Sequence, residues 1–231
     1  MEKNQLPVHL LPREVTWGIR YLLFQLAFLG SLLVLLLKLL KLPTDGLVLD
    51  TAYFIVNFGI VVFIFRNYLW QSMKHGFRHY IRLLIAAVLG FLFHLVLTRC
   101  LDIVISWIEP DFFNVNDASI FSYGRAHYLI TLIGAVILVP LAEETLYRGL
   151  IFGLLHRRSR LLAYTVSTLF FAFIHVMGYI GHYPPYLLLL CYVQYLPAGL
   201  VLAGAYEYSG SILSPVLIHT AVNAIAISSM R

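Results

Sequence analysis

Charge is what this chain has little of. Only 12% of its 231 residues are Asp, Glu, Lys or Arg, and 61% are apolar. Soluble domains carry roughly 25% charged and about 45–50% apolar residues. So few charges cannot cover a water-facing globule, and the composition excludes a disordered tail or a fibre as well. Cysteine is equally scarce: Cys100 and Cys191 both lie in apolar runs without CxxC spacing, which excludes a disulfide framework. No linker, low-complexity tract or internal repeat is visible. What remains is an all-α, polytopic membrane bundle.

A crossing helix needs roughly 20 mainly apolar residues, so spans are expected wherever Asp, Glu, Lys and Arg are missing. The first covers 21–37; it lacks a small-x-small cleavage site and ends at Lys38, which marks a retained span. Others are expected at about 47–65, 83–107 and 126–156. Residues 161–206 hold no charge at all, enough for two crossings broken near Gly178, Gly181, Pro184 and Pro185. A last span at about 211–230 makes seven, with eight possible. Residues 1–120 are expected to form an N-terminal membrane region of about three spans, and 125–230 a second region of about four.

Basic residues give an orientation. With the N-terminus inside, one side holds Lys3, Arg13, Arg20, Arg66, Lys74, Arg78, Arg82, Arg157, Arg158 and Arg160, and the other Lys38, Lys41, Arg125 and Arg231. This asymmetry predicts a multi-pass protein of the cell membrane with a cytoplasmic N-terminus. It also accounts for the +5 net charge without a nucleic-acid partner. The segment 66–82, with Trp70, Phe77 and Tyr80 among its basic residues, suits a helix lying on the bilayer surface.

Ionisable groups inside a span are costly and mark function. The fourth span contains Glu143, Glu144 and Arg148. Adjacent helical residues point about 100° apart, so the two carboxylates are expected not to face one target. Glu144 and Arg148, at i and i+4, suit a salt bridge, which leaves Glu143 to face a cavity as a proton-exchanging group. Phe171 and His175 are four apart in the fifth span, and His219 and Asn223 four apart in the last. At about 1.5 Å per residue, Glu143, His175, His219 and Asn223 come to similar depth. A carboxyl, two imidazoles and an amide together could deprotonate a water and stabilise an oxyanion. Arg99 and Asp102 are expected to pair structurally, and His94, Asn57, Gln25 and Gln194 to be ordinary helix–helix polar residues.

The strings PLAEETLYRG, STLFFAFIH and SPVLIHTAVN resemble, in order and spacing, the EExxxR, FxxxH and HxxxN motifs of the CPBP (Abi) family of intramembrane proteases, which includes the type II CAAX prenyl endopeptidases. The resemblance covers roughly residues 125–230, with Tyr147 where the family prefers Phe. It implies an endopeptidase acting on a short peptide or membrane-anchored substrate, with peptide maturation or bacteriocin self-immunity as family roles. It further implies water activation by Glu143 and His175, oxyanion stabilisation by His219 and Asn223, and bracing by Glu144, Arg148 and Phe171. Zinc held by Glu143, His175 and His219 is the alternative. No HExxH is present, and a metal-free glutamate mechanism accounts better for Asn223, so no cofactor is expected. Two other readings use the same residues: a non-catalytic immunity or scaffold protein, and a proton-coupled transporter.

Overall fold

The computed structural model describes residues 6–228, without the side chains of 123–126. Lys3 and Arg231 lie outside the described residues, and so does the Arg125 side chain. The described chain is a bundle of helices: α1 (Pro12–Leu39), α2 (Gly46–Ile64), α3 (Arg66–Arg78), α4 (Tyr80–Ile108), α5 (Val115–Ala126), α6 (Tyr128–His156), α7 (Arg160–Tyr179), α8 (Pro185–Ser209) and α9 (Leu213–Ser228). Six of them, α1, α2, α4, α6, α7 and α8, are long and apolar enough to cross a membrane. The seventh expected span, α9, has 16 residues, about 24 Å of helix.

Local chemistry sets the boundaries. Asp45 caps α2 by accepting from Val48 N at 3.1 Å, and Ser159 caps α7 through Leu162 N at 3.3 Å. Asn114 Oδ1 accepts from the amides of Asn116 and Asp117 at the start of α5. Pro185 opens α8, where its missing N–H has no cost. Gly210 ends α8 with φ of +68°, a left-handed conformation open to glycine; a side chain there would run into Pro7 and His75.

The ends of the helices on one side of the bundle are knitted together. Glu14, buried at the start of α1, accepts from Leu11 N and Tyr68 N, both at 2.9 Å. Ser72 on α3 accepts from Ile212 N at 2.8 Å, and Ser211 donates to Ser72 O at 2.8 Å. Glu207 gathers His156 (2.8 Å), Arg160 and Tyr164 (2.7 Å). Helix α3 thus lies across the bundle end, with Tyr68, Leu69, Ser72 and Gly76 buried and Trp70, Lys74, Phe77 and Arg78 outward. Arg13, Arg66, Lys74, Arg78, Arg82, Arg157, Arg158 and Arg160 all belong to this one end. The exposed apolar surface elsewhere, such as Phe63, Phe93 and Leu189, each at least 60% exposed, is what a lipid solvent requires.

The core lies around α6, where Leu146, Leu150 and Phe152 pack against Tyr68, Ala203, Tyr206 and Ile212. Helix α6 departs from α geometry twice, with π-helical turns at Gly134–Leu138 and Thr145–Phe152, a distortion that concentrates at functional sites. Arg99 and Asp102 do not pair: among the described residues no ion pair joins them. Asp102 Oδ1 instead accepts from Gln194 Nε2 at 2.7 Å. Arg99 is exposed on the outer face of α4, so a partner across the bundle takes the carboxylate.

Candidate active site

The deepest polar cluster is built on α6. Glu144 and Arg148 form the i, i+4 pair at 3.0 Å, both fully buried. Arg148 Nη2 also donates to Gly199 O on α8 at 3.3 Å, and its guanidinium lies over the Phe171 ring, 4.4 Å from the centroid. Gly199 is required there, because a Cβ would fall 3.0 Å from Thr168 Cα and 3.1 Å from Thr168 O on α7. The close α7–α8 crossing brings the FxxxH helix up to the carbonyl that Arg148 uses.

The same Glu144 oxygen reaches across to α9 and meets His219 Nδ1 at 2.9 Å. Glu143 Oε2 lies 4.0 Å from Nε2 of that ring. The two adjacent carboxylates therefore do face one target, contrary to the expectation from helical geometry. The reason is that an imidazole carries nitrogens on two edges, so side chains diverging by about 100° can meet one ring from two directions. A carboxylate only accepts, so the hydrogen-bond pattern assigns a proton to Nδ1 of His219. Glu143 Oε2 is buried and has no hydrogen-bond partner, and neither has Glu144 Oε2 nor Arg148 Nε.

Asn223 is placed by a proline and the π-turn before it. Pro140 sits inside α6 and has no N–H for the carbonyl of Val136, and the π-turn before it sends the Val139 N–H to Gly134 O, away from the carbonyl of Ala135. Both carbonyls are taken by α9: Thr220 Oγ1 donates to Val136 O at 2.8 Å, and Asn223 Nδ2 to Ala135 O at 2.7 Å. One amide hydrogen of Asn223 is spent on this anchor and the other remains. His175 is fixed equally well. Its Nδ1 donates to Phe171 O at 2.7 Å, since a carbonyl only accepts, and this leaves a lone pair on Nε2. The ring lies between Phe171 (centroids 4.5 Å apart) and Tyr195, which stacks on it at 4.2 Å.

Phe171, His175, His219 and Asn223 line a cavity of about 350 Å³ bounded by helices α4 to α9. Glu143 is not among the described residues lining it. It is set back with its side chain 18% exposed, 4.0 Å from the His219 nitrogen. Gln194 joins α8 to α4 through Asp102, as expected of a helix–helix polar residue, and with His94, Tyr195 and Asp117 it also stands on the cavity wall. Tyr195 donates to Asp117 Oδ1 at 2.7 Å, which ties α5 to the ring stacked on His175. Gln25 and Asn57 do join helices, through Tyr53 at 2.9 Å and Tyr21 at 2.7 Å. No motif marked Tyr53 or Tyr195; Pro140 in mid-span was the readable signal for the α6–α9 seam.

Among the described residues, no three His, Cys, Asp or Glu side chains are arranged to hold a metal ion. His175 and His219 each have Nδ1 engaged, by Phe171 O and Glu144 Oε1, which directs each Nε2 away from these anchors.

The bundle and its buried polar cluster define a polytopic membrane protein with its ionisable groups gathered beside an internal cavity. Residues 125–225 match the family described as type II CAAX prenyl endopeptidase Rce1-like, so over that region the CPBP resemblance of the three motifs holds and a protease-type membrane function is supported. No curated relative and no solved structure matches.

Proposed function

We propose that the chain is an intramembrane endopeptidase that hydrolyses a peptide bond in a short peptide or membrane-anchored substrate. The observation that carries this reading is the convergence of Phe171, His175, His219 and Asn223, from α7 and α9, on one cavity inside the bundle, with Glu143, Glu144 and Arg148 of α6 set behind it at His219 and Phe171. The substrate carbonyl enters the cavity in an extended segment. Glu143 and the His175 Nε2 lone pair take a proton from a water, whose oxygen attacks the carbonyl carbon. The oxyanion is received by the remaining N–H of Asn223 and by His219, whose ring Glu144 orients through Nδ1 while Arg148 offsets the Glu144 charge. Collapse breaks the C–N bond, and the proton held by the base passes to the leaving amine.

The N-terminus and the basic end are on the cytoplasmic side of the cell membrane in this reading. Nucleic acid has no place in it. The test is direct. Purified protein in liposomes is incubated with extended apolar peptides, farnesylated and unfarnesylated, and new termini are read by mass spectrometry. Cleavage at a defined bond is expected. Undiminished partner protection by the Glu143→Gln, His175→Ala double variant would favour the immunity or scaffold reading, and solute flux driven by a pH gradient the transporter.

A further inference from the structure

The cavity occupies only one half of the bundle, and it is the half away from the basic end. It runs from Leu202 and His219 near mid-depth to Asn114 and Asp117, at the end where α4 finishes and α5 begins. There it adjoins a second cavity of about 530 Å³, with which it shares Asn114, Asp117, Phe121 and Gln194. That outer cavity is bordered by Asp102, Glu109 and Asp117, and neither cavity has a Lys or Arg among its described lining residues. The opposite end is closed. The Glu14–Tyr68, Ser72–Ser211–Ile212 and Glu207–His156–Arg160 contacts seal it, and Arg148 with Glu144 forms a fully buried floor beneath the cavity.

Lys and Arg are retained on the cytoplasmic side of short membrane loops. The eight basic residues gathered at the sealed end therefore set that end in the cytoplasm, and the mouth must face the other way. We propose that the cavity opens only to the extracytoplasmic face, so that its substrate is an apolar peptide segment presented from that side: an exported peptide, or the outward-facing part of a membrane-anchored one. A cytosolic chain end, prenylated or not, has no route to His175 and His219 past the sealed end. This inference names the substrate class of the proposed protease and rests on that reading, but the sidedness of the cavity is measurable without activity.

In a Cys100→Ser, Cys191→Ala background, single cysteines are introduced as Ser106→Cys at the mouth, Ala198→Cys inside the cavity and Gln71→Cys on the outward face of α3. A membrane-impermeant trimethylammonium thiosulfonate is applied to right-side-out vesicles. We expect modification at Ser106→Cys and Ala198→Cys from outside, and at Gln71→Cys only after permeabilisation. The reverse pattern would overturn the inference. Ser106→Cys serves alone if the Ala198→Cys variant does not fold. A lysine-flanked apolar peptide that cannot cross the membrane is then offered to right-side-out and inverted vesicles. Cleavage confined to right-side-out vesicles is expected, and cleavage confined to inverted ones would overturn the proposal. No cleavage from either side, with the labelling as expected, would leave the sidedness standing and remove the protease reading.

Discussion

Replacing Arg148 by Met keeps most of the side-chain volume and deletes one buried charge. Arg148 and Glu144 are both fully buried, 3.0 Å apart, a separation at which the Coulomb attraction is about 5–6 kcal/mol at an effective dielectric of about 20. The variant leaves the Glu144 carboxylate with the His219 Nδ1–H as its one hydrogen bond, and strips Gly199 O of its guanidinium donor. Breaking a buried pair from one side costs roughly 3–5 kcal/mol, a large share of the about 5–15 kcal/mol that holds a typical fold together. Glu144→Gln in the same chain removes the orphaned charge, and its amide oxygen can still accept from His219. The double variant is therefore expected to recover about 2 kcal/mol or more of the loss. Reversible unfolding in mixed detergent micelles, followed by tryptophan fluorescence, measures all four corners of the cycle. A single-variant loss below about 1 kcal/mol, with no recovery in the double variant, would refute the picture of Arg148 as counter-ion to a buried carboxylate.

The α6–α9 seam separates anchoring from chemistry. Asn223→Ala should lower kcat by about 10²–10³-fold, as loss of an oxyanion donor does, whereas Thr220→Val, which removes only a helix-to-helix bond, should cost about 1 kcal/mol of stability and leave kcat within a few-fold; steady-state peptide cleavage and micellar unfolding read the two. Gly199→Ala pushes a methyl into the α7 backbone at 3.0 Å and should destabilise by about 1–3 kcal/mol, visible as a lowered Tm. Ser72→Ala leaves the Ile212 amide without its 2.8 Å acceptor, and a loss of about 1–3 kcal/mol is expected. Hydrogen exchange should quicken selectively at Ile212.

Much of the fold was legible because a bilayer limits the choices: charge-free runs become helices, and each expected span has a helix in the structure. The helix at Arg66–Arg78, with its apolar side buried and its basic and aromatic residues outward, was readable from its mixed composition. The long polar reach across the bundle was not. Asp102 prefers Gln194, 92 positions away, to Arg99 three residues behind it, because Arg99 points outward. Periodicity orders residues around one helix and says nothing about which neighbour arrives. The same limit hid the approach of Glu143 and Glu144 to His219, which depends on where α9 docks. Pro140 was legible as a residue type, but the carbonyls freed by it and by the π-turn before it acquire meaning only once Thr220 and Asn223 stand opposite them.

The central claim is that Glu143 supplies the base for peptide hydrolysis at this cavity. The rate of cleavage by the Glu143→Gln variant, relative to the unaltered protein in the same liposomes and with equal thermal stability, tests it most directly. Loss of the base should lower that rate by about 10²–10⁴-fold. A Glu143→Gln protein that cuts the same bond within twofold of the unaltered rate would contradict the account.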